Sequence, residues 1–345
     1  MKGDPRTVLF AGAGFTCCLT DGAAPLMPGF FKGLSKEHFP RLSSFLANAH
    51  GSIETANLQD VICSLEQLRD IPYRPTAAAR FLGDIQANPL LEDITRFTID
   101  RLSVLDWSDN NWVSHLLWNA DQNWTVITTN YDTLAEQILS NIAGIKHCGL
   151  DATCFHCRMR NLLSTYRYCD LESRNRTPWR GSLLKLHGSI AWRQCASERC
   201  RLKDKRIITN SRCEMGDKIY CEHCCSPTIP VIFHPTPVKK YSTHPDIKAM
   251  WEAAGLALEE AEELIIFGFS FPQSDSVIRS LFRESLKTGT LKKIHIFDLD
   301  PPAIHAKIAC LLPTGLNIKY HLWRTPRDFS VPTWWKPKIV TAEAR

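Results

Sequence analysis

Two closely spaced cysteine pairs give the clearest chemical pattern in the chain. Cys195 and Cys200 are separated by four residues, Cys221 and Cys224 by two, and twenty residues lie between the pairs. Thiolates at this spacing can close a tetrahedral zinc site, and the bound ion would fold a segment that is too polar to fold alone. No histidine–glutamate pattern of a catalytic zinc site accompanies them. We therefore expect a closed, structural zinc site formed by these four cysteines.

Other thiols and one histidine leave alternatives to that assignment. Cys225 could replace the last of the four ligands, and Cys213 and His223 lie in the same stretch. A separate pair, Cys154 and Cys157, has no obvious second pair. We interpret that pair as two thiols in an insertion, with an incomplete metal site as the alternative.

Polar side chains follow a short apolar run in the stretch "VITTNYDTLAEQ". Asn130 and Asp132 come directly after the run and just before a helical pattern. In open α/β sheets the carboxyl ends of strands face the ligand crevice. There an asparagine amide can hold a water or hydroxyl, and an aspartate can accept hydrogen bonds from ribose hydroxyls. The alternative is structural, because either residue could cap a helix that starts near Thr133.

A histidine follows another buried run, in "LLKLHGSIAW". His187 precedes Gly188, which suits a tight turn. Histidine titrates near neutral pH, so in a cleft it is a natural general base. A histidine after a strand is also commonly a hydrogen-bonded structural residue. The catalytic interpretation therefore requires that Asn130 and Gly12 face the same cleft.

A glycine loop ends the first apolar run, "TVLFAGAGFT", at residues 7–16. Glycines after the first strand of a dinucleotide-binding fold let the backbone approach a pyrophosphate, whose charge the following helix N-terminus favours. Gly12 and Gly14 are present, but the third glycine of the ordinary fingerprint is missing, and no clear second strand with a terminal acid follows. This counts against an ordinary dehydrogenase. A tight turn without a ligand is the alternative.

Short apolar runs alternate with helical stretches, which predicts an α/β fold with a mainly parallel, Rossmann-like sheet. Residues 1–345 would form one domain. Within it, residues 31–119 predict a helical insertion, and residues 195–226 predict a small zinc-binding module. The predicted strands are Thr7–Ala11, Trp124–Thr128, Ser182–Lys185, Ile229–Phe233, Glu263–Phe267, Lys293–Phe297 and Asn317–Trp323.

Composition limits the class of protein. The 345 residues are 44% hydrophobic and 22% charged, as in soluble globular proteins, and the net charge is only +5. The first apolar stretch is too short for a signal peptide or a membrane span. We therefore expect a cytoplasmic protein whose 14 cysteines are thiols or metal ligands. Basic stretches such as "RLKDKR" are short, so we interpret them as solvated surface rather than as nucleic-acid contacts.

Taken in order, these motifs resemble the sirtuin superfamily. The resemblance rests on "GAGFT", "TTNYD", "KLHGS", the four-cysteine module, "GFS" and "FDLDP", and its scaffold covers nearly the whole chain apart from long insertions. It implies an enzyme that splits NAD between nicotinamide and ribose. It further implies His187 as the base, with Asn130 and Asp132 by the nicotinamide ribose. The implied NAD contacts are Gly12, Ala13, Gly14, Phe15, Thr129, Gly268, Ser270 and Asp298.

Three stretches depart from the pattern of protein-deacylating sirtuins. The glycine loop is followed by "CCLTDGAAPLMPGF" instead of Ile-Pro-Asp-Phe-Arg, Thr129 replaces a glutamine, and the segment that would grip an acyl-peptide is "VIFHPTPVKKY". These features are more similar to divergent bacterial sirtuin-like domains, many of which hydrolyse NAD in defence against phage. The resemblance therefore implies NAD hydrolysis, although the zinc module is more typical of deacylases.

Two other functions compete with NAD hydrolysis. An NAD-dependent protein-lysine deacylase shares the first half of the reaction, and a non-catalytic sensor subunit would bind NAD or ADP-ribose without turnover. Uncontrolled NAD loss would be toxic, so we expect control by a homo-oligomer or a regulatory partner protein. An inhibitory insertion is the alternative means of control, and residues 31–119 are the candidate gate or interface. No membrane partner is expected, and a nucleic-acid partner is not favoured.

Overall fold

The structure is a computed structural model that describes residues 6–70, 87–107, 111–118, 124–142, 183–201, 208–209, 220–221, 223–234, 245–273, 275–288 and 290–326. Its strands are β1 (Thr7–Ala11), β2 (Trp124–Thr128), β3 (Leu183–Lys185), β4 (Gly188–Cys195), β5 (Ile208–Thr209), β6 (Thr228–Ile232), β7 (Glu263–Phe267), β8 (Lys293–Asp298) and β9 (Lys319–Arg324). Its helices are α1 (Ala13–Leu19), α2 (Pro40–His50), α3 (Leu58–Asp70), α4 (Ala87–Ser103), α5 (Trp112–Trp118), α6 (Leu134–Ile142), α7 (Pro245–Glu259), α8 (Ser276–Ser285) and α9 (Pro301–Ala309). Among the described residues, no helix combines the length and apolar character needed to cross a membrane.

Six strands form one parallel sheet in the order β3-β2-β1-β7-β8-β9. The chain adds strands on one side of β1 and then crosses to add β7 on its other side. In a doubly wound sheet this change of direction opens a crevice at the carboxyl ends of the two central strands. The fold class expected from the sequence is confirmed, and the crevice lies between the loops that follow β1 and β7.

The central strands are buried on both faces, which explains their continuous apolar sequences. Val8 and Phe10 of β1 pack into a core with α7, α8 and α9. Leu9 and Ala11 face the other way and pack with α1, α5 and α6. The sheet is therefore a rigid platform whose loops, rather than its faces, are available to a ligand.

The part of the chain between β1 and β2 contains the helices α2 to α4, which form a third apolar core. Phe31 and Phe97 stack with ring centroids 5.9 Å apart, and Phe30 and Phe39 pack edge-on against Phe97. Arg41 on α2 binds the buried Asp93 on α4 through two hydrogen bonds. The helical character of this region matches expectation, whereas the insertion limits at residues 31 and 119 stay a prediction.

One predicted strand belongs to a different sheet. The run predicted at Ile229–Phe233 is β6, and it pairs antiparallel with β4 in a separate three-stranded sheet of order β5-β4-β6. The strand β4 was not predicted. Its pairing shifts between Ser189 and Arg193, and such an irregularity breaks the alternation by which a half-buried strand is recognised. A short apolar run does not reveal the direction of its partner.

Candidate active site

A cavity of about 340 Å³ lies where the carboxyl ends of β1, β2 and β7 meet. Part of its wall is polar and contains Thr129, Asn130 and His187. Another part is apolar and comes from the segment 24–30 and the start of α3. The structure therefore brings Asn130 and His187 into one cleft. Gly12, which the catalytic interpretation also requires there, is not part of the cavity wall, although its carbonyl accepts a hydrogen bond from Asn130. Other expected contacts on this wall are Ala13, Asp132, Gly268 and Ser270.

A hydrogen-bond network fixes the Asn130 side chain. Its amide nitrogen donates to the Gly12 carbonyl and to the Thr16 hydroxyl, both at 2.8 Å. Among the described residues, no protein group donates to the Asn130 side-chain oxygen. The amide is therefore held by its donor end, and its acceptor end is available to a water or hydroxyl in the cavity.

Asp132 is more structural than the sequence suggested. Its Oδ2 accepts a hydrogen bond from Thr16 at 2.7 Å, and its Oδ1 accepts one from the Leu134 amide at 3.0 Å. The side chain is buried at 4% exposure, and the bond to Leu134 caps the start of α6. Both of its oxygens are thus engaged by the protein, although the residue borders the cavity.

His187 lies in the two-residue turn between β3 and β4 and is buried at 4% exposure. The Phe233 amide donates to its carbonyl at 2.8 Å. Gly188 follows with φ +86°, and a Cβ there would collide with the Val231 carbonyl, so the turn requires glycine. The imidazole Nε2 lies 3.5 Å from Oδ2 of Asp275. A buried carboxylate therefore accompanies the expected base.

Tyr131 lies on the same side of the cavity. Its ring centroid is 6.4 Å from that of His187, and its hydroxyl donates to the Phe233 carbonyl at 2.8 Å. Burial, and secondarily the charge of Asp275, raise the pKa of the Tyr131 phenol well above its ordinary value. This side chain therefore stays neutral and connects the loop after β2 to the end of β6.

The glycine loops after β1 and β7 pack against each other. The Gly12 amide donates to the Phe267 carbonyl and the Gly14 amide to the Gly268 carbonyl, both at 2.9 Å. A Cβ on Gly12 would lie 2.5 Å from the Gly268 oxygen, and one on Gly14 would lie 2.7 Å from the Gly268 Cα. Close backbone contact thus explains these glycines without a ligand. Their contact with a pyrophosphate stays a prediction.

Four of the expected NAD contacts lie outside the cavity wall, namely Gly12, Gly14, Phe15 and Asp298. Phe15 is buried at 1% exposure and packs edge-on against Phe267. Asp298 lies at the carboxyl end of β8, where its Oδ1 accepts from the Asp300 amide at 3.0 Å. Burial raises the pKa of the Asp298 carboxyl above its ordinary value. Asp298 shares the ligand edge of the sheet, whereas Phe15 is a core residue.

A fully buried ion pair joins β3 to α6. Lys185 Nζ lies 2.6 Å from Glu136 Oε1, and both side chains are 1% exposed. Lys185 also donates to the Asp132 carbonyl. The chain segments that carry Asn130 and His187 are therefore connected through Lys185. Burial raises the pKa of Glu136, while the Lys185 charge opposes this effect.

The SIR2-like domain family matches residues 125–311, which is more than half of the chain. The chain belongs to the SIR2-like domain family. This family match agrees with the sirtuin superfamily that the motifs of the chain resemble. No curated protein matches the chain.

Two solved structures that are similar to this SIR2-like chain are the following. "Sir2-p53 peptide-NAD+" is 14% identical, covers 93% of this chain and 89% of its own, and has a TM-score of 0.38. "The Structural basis of Sirtuin Substrate Affinity" is 15% identical, covers 93% of this chain and 90% of its own, and has a TM-score of 0.39.

The four predicted zinc ligands of this SIR2-like chain lie together. All four sulfur atoms are within 4.8 Å of one another, with Cys195 and Cys224 at 3.4 Å and Cys200 and Cys221 at 3.8 Å. A tetrahedral zinc ion with Zn–S bonds of about 2.3 Å needs sulfur atoms about 3.8 Å apart. The cluster therefore fits a zinc ion.

The alternatives for the fourth ligand are resolved by position. Cys224 belongs to the cluster, whereas Cys225 has φ +54° and is exposed, as is His223. The Ser226 hydroxyl and amide lower the pKa of the Cys224 thiol to about 6. Burial raises the pKa of the Cys195 thiol in the same cluster. Cys213, Cys154 and Cys157 lie outside the described residues.

Sequence reasoning did not single out three residues of the SIR2-like site. Thr16 lies within the motif "GAGFT" and Lys185 within "KLHGS", but the sequence indicates a role for neither. Asp275 was not named, although an aspartate shortly after "GFSF" could have been marked as a residue at the start of a helix. Only the fold shows that all three contact or approach the expected catalytic residues.

Proposed function

We propose that this SIR2-like protein uses NAD as its substrate and hydrolyses the bond between nicotinamide and ribose. The observation that carries the proposal is that Asn130 and His187 line one cavity at the crossover point of the sheet. One offers an amide oxygen and the other an imidazole. The volume of this cavity is at the lower end of the range for small-molecule sites, about 300–1,000 Å³. We assign it to the reacting end of the dinucleotide.

The assigned roles follow from what each group can do. Breaking the glycosidic bond creates a positively charged, oxocarbenium-like sugar carbon. Asn130, held by Gly12 and Thr16, would hold the attacking water through its amide oxygen. His187 would take a proton from that water as its oxygen bonds to the sugar carbon. The electron pair of the broken bond goes to nicotinamide, and the products are nicotinamide, ADP-ribose and a proton.

The remaining NAD contacts are assigned along the same edge of the sheet. Ala13, Thr129, Gly268 and Ser270 line the cavity and would meet the phosphates or the ribose next to them. Asp298 would accept a hydrogen bond from the ribose on the adenine side. The assignment to this edge rests on the fold, because ligands of doubly wound sheets bind outside the carboxyl ends of the strands.

We favour water over an acyl group as the nucleophile because of the contacts made by residues 231–241, the segment that would bind an acyl-peptide. In its described part, the Phe233 amide and carbonyl are hydrogen-bonded to His187 and Tyr131. His234 Nε2 lies 2.9 Å from the hydroxyl of Thr95 on α4. The described end of this segment is thus bound to the protein itself, partly to the helical layer, and this supports water over an acyl-peptide.

One specific observation favours the alternative, an NAD-dependent protein deacylase. The zinc-type cysteine cluster is complete, and the sequence resemblance associates this module with deacylating sirtuins. We assign the cluster a structural zinc ion, because all four positions of a tetrahedron are filled by protein thiolates. Such an ion would stabilise the antiparallel sheet and take no part in the chemistry.

Nicotinamide release from NAD by the purified protein, with and without an acetyl-lysine peptide, tests the proposal. We expect release without peptide, reduced about 100-fold or more in His187→Ala and Asn130→Ala because each removes a catalytic group. The exposed residues His38 and Asn48 provide the controls His38→Ala and Asn48→Ala, which should retain the wild-type rate.

Release that requires the peptide would reverse the order of the two functions, and full activity in His187→Ala would refute the site. Silence of the folded wild-type protein with NAD would refute constitutive hydrolysis. The biological context that we propose is defence against phage. In this role a homo-oligomer or a partner protein would regulate the enzyme. This context predicts that the wild-type protein, but not His187→Ala, protects a bacterial culture from infection.

A further inference from the structure

Asp275 is the charged group that lies against the proposed base. Its Oδ2 is 3.5 Å from His187 Nε2, which is within ion-pair distance. Both side chains are about 95% buried and both border the cavity. Asp275 comes from the start of α8, directly after the loop that follows β7, so a separate part of the chain supplies it.

Helix capping does not account for this carboxylate. Asp275 occupies the N-cap position of α8, where aspartate is favoured, yet its side chain makes no capping hydrogen bond. Asp300 occupies the same position on α9, and its side chain does accept a hydrogen bond from the Ala303 amide. The two aspartates are thus at equivalent places in the fold, but only Asp275 directs its carboxylate to His187.

The other ionisable groups around His187 are accounted for. Tyr131 stays neutral because its pKa is raised, and the Lys185 charge is matched by Glu136. Among the described residues, Tyr131 and Asp132 after β2 and Asp275 at α8 share the cavity wall with His187. Lys185 lies two residues before His187 at the end of β3, and His234 after β6 contacts the Tyr131 ring.

We propose that Asp275 is a positioning residue for His187: its carboxylate orients the imidazole and stabilises the imidazolium that forms when the ring takes a proton. A carboxylate at Nε2 favours the tautomer that carries its proton there, and an adjacent negative charge favours the protonated ring. This assignment rests on the proposed function for its catalytic consequence. The pairing itself is a property of the protein without substrate.

The test compares Asp275→Asn with the matched control Asp300→Asn. Two readouts are taken: the pH dependence of kcat/KM for nicotinamide release, and the His187 pKa from NMR of ¹³C-labelled histidine, assigned with His187→Ala. In Asp275→Asn we expect kcat/KM to fall about 100-fold. We expect the His187 pKa to fall by about 1 unit or more. The acid limb of the pH profile should move to lower pH with it, since the base must be unprotonated.

Asp300→Asn should change neither readout, and Asp275→Glu should keep the wild-type pH profile. If Asp275→Asn does not fold, Asp275→Ser replaces it, because serine also suits a helix N-cap. An unchanged His187 pKa and an unmoved acid limb in a folded, uncharged variant would overturn the proposal. If the wild-type protein releases no nicotinamide, the proposed function fails separately, and the NMR comparison still decides the Asp275–His187 pairing.

Discussion

Thr16 connects the two polar side chains that follow β2. Its hydroxyl donates to Asp132 and accepts from Asn130, and it is buried at 4% exposure. We expect Thr16→Val, which has nearly the same shape, to lower nicotinamide release about 10-fold or more by freeing Asn130. It should also cost about 1–3 kcal/mol in the free energy of unfolding, because buried polar groups lose a partner.

Thr16→Ser is the matched control, because it keeps the hydroxyl and removes only a methyl group. Activity should recover in this variant, and chemical denaturation of all three proteins separates the stability effect from the rate effect. Equal rates in the valine and wild-type proteins would mean that Asn130 does not need this hydrogen bond.

The candidate site was only partly predictable at the scale of residues. Asn130 and His187 could be found because they follow apolar runs, and strand ends determine where such side chains lie. Thr16 and Asp275 could not be assigned roles, because their partners are far along the chain. Thr16 and Asp132 are 116 residues apart, and their contact depends on the pairing of β1 with β2.

At the scale of elements, the contact between the two glycine loops sets the shape of the crevice. Gly268 has φ +60°, and any Cβ there would enter the backbone of Gly14. Gly315 also has positive φ, at +88°, but its surroundings are open. We expect Gly315→Ala to cost about 1–2 kcal/mol in unfolding free energy from backbone strain alone. Gly268→Ala should cost about 3 kcal/mol or more, because overpacking adds to strain.

Urea denaturation measures both costs, and nicotinamide release should fall in Gly268→Ala but not in Gly315→Ala. Equal losses of stability in the two variants would show that the loops can separate without cost. The comparison separates the cost of a left-handed backbone, common to both positions, from the added cost of the loop contact at Gly268.

The elements themselves were predicted best where burial is complete. The bounds of β1, β2 and β7 match the sequence expectation, because each is a short apolar run covered on both faces. The edge strand β9 was expected at Asn317–Trp323 and lies at Lys319–Arg324, since its half-exposed residues mark its ends weakly. The strand expected at Ile229–Phe233 is β6, at Thr228–Ile232, but its antiparallel pairing was not predicted, because β4, whose pairing shifts between Ser189 and Arg193, gave no clear pattern.

At the scale of the whole molecule, the cysteine cluster and the cavity are connected by one strand. The strand β4 starts at Gly188, directly after His187, and ends at Cys195 in the cluster. Its partner β6 pairs with it at both ends, Gly188 with Ile232 and Cys195 with Thr228. Loss of the metal should therefore release the sheet that holds the His187 turn, even though no cysteine of the described residues borders the cavity.

We therefore expect about one zinc ion per chain, lost in Cys195→Ser and Cys221→Ser. The unfolding temperature of these variants should fall by about 5 °C or more, and nicotinamide release should fall with it, because structural zinc supplies folding free energy. Elemental analysis, thermal unfolding and the release assay measure the three effects.

Cys225→Ser, beside the cluster but exposed, should keep metal, stability and activity. A metal-free protein with the wild-type unfolding temperature would refute the structural zinc site. A zinc-depleted protein of full activity would instead show that the His187 turn is held by the parallel sheet alone.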